Sequence, residues 1–79
     1  MDFEAYKISE GHYQLHMVEN GQKRWIASFN GLNTLLYYYI HCHNLTYDAI
    51  MFTGEKLKED EQKHLNAEAE EWHINIKKE

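Results

Sequence analysis

Residues 12–29 read HYQLHMVENGQKRWIASF, and the Asn20-Gly21 step at their centre decides the fold. A two-residue type I′ turn needs positive φ at both central residues, which Asn-Gly tolerates, and its twist matches that of two antiparallel strands. Before the turn, His12 to Glu19 alternates: Tyr13, Leu15 and Met17 lie on one side, and His12, Gln14, His16 and Val18 on the other. After it, Lys23 to Phe29 completes a hairpin. The turn pairs Val18 with Lys23, and the register then sets His16 opposite Trp25 and Leu15 opposite Ile26. With Leu15 and Ile26 turned to the core, His12, His16, Trp25 and Phe29 form the opposite face.

Ahead of the hairpin, Phe3 to Ile8 alternates loosely and ends at the turn signal Ser9-Glu10-Gly11, which adds a further strand. Asn30 suits the N-cap of a helix from about Gly31 to His43. Leu32, Leu35, Leu36, Tyr39, Ile40 and His43 fall on one stripe of that helix. Tyr47 to Phe52 is short and apolar, closes at Thr53-Gly54 and reads as a buried strand. A second helix is expected over about Lys58 to Trp72, with Glu59, Asp60 and Glu61 in its first turn, where the helix dipole favours negative charge. Its apolar stripe is thin, Leu65, Ala69 and Trp72, and His73 to Ile76 alternates as a final strand. The order is β-β-β-α-β-α-β, an α+β single domain over residues 1–79, with an antiparallel meander feeding a mixed sheet and two helices packed on it. The expected core is Leu35, Leu36, Tyr39, Ile40, Ile50, Phe52, Leu65 and Trp72.

Composition narrows the function classes. The 79 residues include one cysteine, Cys42, so a disulfide framework is excluded and a reducing, cytoplasmic setting is expected. No apolar run approaches a membrane span, and the first residues lack the basic and apolar parts of a signal peptide. The net charge is −5, and basic residues adjoin only at Lys23-Arg24 and Lys77-Lys78. Binding of nucleic acid or anionic lipid through a basic surface is therefore not expected.

The chemistry-bearing clusters are weak. His41-Cys42-His43 offers three ligand types in a row, but on a helix the two histidines point about 200° apart. A zinc site also needs about four ligands, so no metal or cofactor is expected. Glu61 and His64 form one Glu-x-x-His element, where a di-iron carboxylate site needs two such elements and further glutamates. Glu59 and Lys63 read instead as an i,i+4 pair on an exposed face. Cys42, Ser9 and Ser28 are the nucleophile candidates, and none lies in a Gly-rich elbow or phosphate-cradling loop. Enzymatic activity is not expected.

What remains is aromatic surplus. Tyr37, Tyr38 and His41 lie outside the core stripe of the first helix, and large amphipathic rings are typical interface anchors. The His16–Trp25 face is a second candidate. In size, acidity and element order the chain resembles the small single-domain proteins that phages and mobile elements encode to block host enzymes, anti-CRISPR proteins among them. That resemblance covers format only and transfers no residue. It implies a non-enzymatic protein-binding module, an inhibitor acting by steric occlusion of a larger protein or complex, with a homodimer as a further option. Two alternatives stand beside it: an acidic nucleic-acid mimic in which Glu59, Asp60, Glu61, Glu68, Glu70 and Glu71 imitate phosphates on a helix, with Glu61, Glu68 and Glu71 as its acidic face, and a regulator that binds metal or ligand through His41, Cys42, His43 and His64.

Overall fold

The computed structural model describes residues 2–42 and 49–77. These form β1 (Asp2–Ser9), β2 (His12–Glu19), β3 (Gln22–Phe29), α1 (Leu32–Cys42), β4 (Ala49–Gly54), α2 (Glu59–Trp72) and β5 (Ile76–Lys77). The strands make one sheet in the order β3-β2-β1-β4-β5. β2 is antiparallel to both of its neighbours, while β1–β4 and β4–β5 are parallel. The fold is therefore α+β with a mixed sheet, as its element order predicts, and β2 alone of the five strands runs against the rest.

The hairpin forms at Asn20-Gly21, whose φ angles of 53° and 77° are those of a type I′ turn. Val18 pairs with Lys23 and His16 with Trp25, as the turn requires. Leu15 then pairs with Ala27 and not with Ile26, because a bulge adds one residue to β3. The extra residue reverses the facing of everything beyond it. Phe29, expected beside His12, His16 and Trp25, pairs with Tyr13 on the core side and packs on Tyr38 with ring centroids 5.6 Å apart. Unbulged alternation would have sent the Ser28 hydroxyl inward; the bulge leaves Ser28 exposed and uses Phe29 for packing.

One core cluster joins Phe3, Ala5, Tyr13, Leu15 and Ile50 of the sheet to Leu32, Leu35, Leu36 and Tyr39 of α1, with Leu65 and Ile74 from the α2 region. Phe3 and Tyr39 meet edge to face at 5.3 Å. Since both helices feed the same cluster, both lie on one face of the sheet. The expected core members Ile40 and Phe52 are only partly buried at its margin. Trp72 is not core at all, being 43% exposed. The cause is the end of α2. His73 takes a left-handed conformation (φ 55°), its N–H and that of Ile74 both turn back to the Ala69 carbonyl, and Ile74 enters the core in place of Trp72. His73 therefore ends a helix and does not start a strand, and β5 shrinks to Ile76–Lys77.

The first helical carbonyl of α1 is that of Gly31, which accepts the Leu35 N–H at 3.3 Å, so Gly31 and not Asn30 holds the cap position. The expected C-terminal residue of α1, His43, and the expected strand residues Tyr47 and Asp48 lie outside the described residues. β4 ends where Gly54 (φ 85°) passes over β1, and a Cβ there would collide with the Lys7 carbonyl.

Candidate functional site

Because β3, β4 and β5 point the same way, the two helices that connect them return side by side and parallel to each other. A groove runs between them. Near the C-terminal ends it encloses about 410 Å³, lined by Tyr37, His41, Glu68, Glu71 and Trp72 among others. At the N-terminal ends it widens into a cleft of about 490 Å³ bordered by Glu10, Tyr13, Lys58, Asp60 and Glu61. Asn33 and His64 line both parts, which makes the groove continuous.

Local helix geometry builds the aromatic wall. Tyr37 and His41 are one turn apart on α1, so their rings meet at a tilt of 49° with centroids 4.4 Å apart, and His41 then meets Trp72 of α2 edge-on at 5.7 Å. Tyr37 is 69% exposed, which leaves most of its ring for another molecule. The α2 side of the groove, which carries Trp72, is otherwise acidic. Residues 64–76 hold no Lys or Arg, and none of the ion pairs among the described residues involves Glu68, Glu70 or Glu71. Glu59 is paired with Lys63 at 3.5 Å, as its spacing predicts.

Two expected surface residues sit elsewhere. Tyr38 is half-buried against Phe29, on the side of α1 that faces β3, and is not an outward anchor. Glu61 does not share a solvent face with Glu68 and Glu71, since it turns inward. Its Oε1 accepts from Lys7 Nζ at 2.6 Å and from the Lys58 backbone N–H at 3.0 Å, and its Oε2 accepts from the Tyr13 hydroxyl. The Lys7 side chain is only 3% exposed and that of Glu61 15%. Burial works against the Glu61 charge, but the Lys7 and Lys58 donors and the Lys7 charge outweigh it and hold the carboxyl below its ordinary range. Sequence reasoning missed Lys7, although a signal existed: it lies on the same side of β1 as Phe3 and Ala5.

His16 and Trp25 lie across the sheet, on the face that carries neither helix. They form a cross-strand pair, with His16 Nε2 3.2 Å from Gln14 Oε1 and Trp25 57% exposed. Tyr6 and Ile8 share that face, and its charges are paired internally, Glu4 with Lys23 at 2.9 Å and Asp2 with Lys77 at 3.1 Å. Cys42 is a free, exposed thiol, and no cluster of three or more His, Cys, Asp or Glu side chains suited to a metal occurs among the described residues. No helix among them is long and apolar enough to cross a membrane. Comparison of the chain with protein-family models, with curated proteins and with solved structures finds no match.

Proposed function

We propose that the chain is a non-enzymatic protein-binding module that docks on a larger protein through the groove between α1 and α2 and occludes the surface it covers. The observation that carries this reading is the row Tyr37, His41 and Trp72, three contacting rings presented at the surface of one groove. Rings held in place by one another lose little further freedom on binding, which makes them efficient anchors. The best-placed acid–base pair, Lys7 and Glu61, is engaged with itself and with Tyr13, so it serves the scaffold. An acidic nucleic-acid mimic has less support, because Glu61 leaves the row it would need.

The proposed setting is the cytoplasm, where an exposed lone thiol stays reduced. The proposed biological role is that of a phage or mobile-element inhibitor, which genes adjoining the coding sequence would test. The direct experiment is affinity capture with the wild-type chain and with Tyr37→Ala and Trp72→Ala. Each substitution should weaken retention of the captured partner about thirtyfold while the far-ultraviolet spectrum is preserved. Unchanged retention in both variants would overturn the reading.

A further inference from the structure

Tyr37 and His41 on α1 face Glu68 and Glu71 on α2, where Trp72 stands beside the carboxylates, and this pairing restricts what can lie in the groove. We infer that the occupant is an extended, arginine-bearing basic segment of the partner protein; the inference rests on the protein-binding reading above. α1 has 11 residues and is about 16 Å long, so the groove accommodates roughly five residues of extended chain. Along that length Glu68 and Glu71 carry charge with no lysine or arginine beside them among the described residues. The cation bordering the N-terminal cleft, Lys58, is already paired with Glu10. An acidic or neutral segment would leave Glu68 and Glu71 uncompensated, whereas a basic one matches their charge. Arginine fits better than lysine, because its planar guanidinium stacks on an exposed ring such as Tyr37 while donating to a carboxylate. The net charge of −5 acts in the same direction at longer range, drawing a cationic segment toward the molecule.

The opposite sheet face is the natural internal control. Its charged residues already have partners within the chain, so it offers a basic ligand little unpaired charge.

The test is a nuclear magnetic resonance titration of the full chain with the capped peptide Gly-Arg-Phe-Arg-Gly and with its citrulline counterpart, which keeps the shape and loses the charge. The arginine peptide should shift the Trp72 indole, Tyr37 and His41 signals and leave Trp25 unmoved. It should bind about tenfold more tightly than the citrulline peptide, and a Glu68→Gln/Glu71→Gln double variant should reduce its affinity by a similar factor at low salt. Equal affinity for the two peptides, shifts centred on Trp25, or no shifts would each overturn the inference. Partner capture separates this failure from failure of the parent reading. If Tyr37→Ala releases the partner and the glutamine double variant does not, the basic segment is wrong and the module stands; if both variants retain it, both are wrong.

Discussion

At the scale of single residues, the group that most constrains the molecule is Glu61. It closes the N-terminal end of α2 by accepting from the Lys58 N–H, and it compensates the ammonium of Lys7, which is 97% shielded from solvent by the sheet and α2. Removing the charge would leave that ammonium buried without a counter-charge, a change that commonly costs about 3 kcal/mol or more. Glu61→Gln should therefore lower the melting temperature by more than 10 °C, on the order of what such a loss produces in a domain of this size. The same carboxyl gives a pH signature. Its folded-state pKa is depressed, so its contribution to stability is fully present above the unfolded-state value and is lost as the pH falls through the folded-state value. Urea unfolding of the wild type should show stability declining from about pH 5 downward, and the Glu61→Gln variant should show a flatter acid limb. An acid limb of equal steepness in the two proteins would mean that other carboxylates govern it.

At the scale of elements, α1 shows what each side of a helix does. Leu35, Leu36 and Tyr39 are fully covered, Tyr38 leans on Phe29, and Tyr37 projects into the groove. Leu36→Ala should cost about 2–4 kcal/mol, Tyr38→Ala about 1–2 kcal/mol through its ring contact, and Tyr37→Ala close to nothing. Thermal melts of the three variants check that ranking, and a Tyr38→Ala protein as stable as wild type would remove the Phe29 contact from the account. This helix also shows which features were legible. Its buried stripe and the type I′ turn follow local rules, a 3.6-residue period and a demand for positive φ, so each can be read from a few neighbouring residues. The bulge in β3 could not be read that way, because Trp25, Ile26 and Ala27 are all acceptable on a buried face and only α1, folded over the strand, selects among them. Trp72 failed for a related reason. Helical spacing places it on the Leu65 stripe, but the left-handed turn at His73 hands that core position to Ile74. One residue of the candidate site is therefore hidden from the sequence: Tyr37, His41, Glu68 and Glu71 are nameable, while helical spacing sends Trp72, the ring that joins the two helices, to the core.

At the scale of the whole molecule, the consequence of two layers is two separate surfaces. The helix layer carries the groove, and the uncovered sheet face carries Trp25 with Tyr6 and Ile8. The sheet and its core lie between them, with Leu15 and Tyr39 both fully buried, so substitutions on one surface should not couple to the other. This independence allows a decisive comparison. Trp25 is more than half exposed at a bulge on an edge strand, so Trp25→Ser should change stability by no more than about 0.5 kcal/mol, a shift of roughly 2–4 °C in Tm. Its effect on partner retention should be negligible, whereas Tyr37→Ala should abolish most of it, and the double variant should match Tyr37→Ala alone. Retention and melting measured on all three proteins decide the matter. Loss of the partner with Trp25→Ser, in a chain that still melts near the wild-type temperature, would transfer the interface to the sheet face. Paired charges on that face would then favour an apolar contact insensitive to salt, the opposite of the response expected from Glu68 and Glu71.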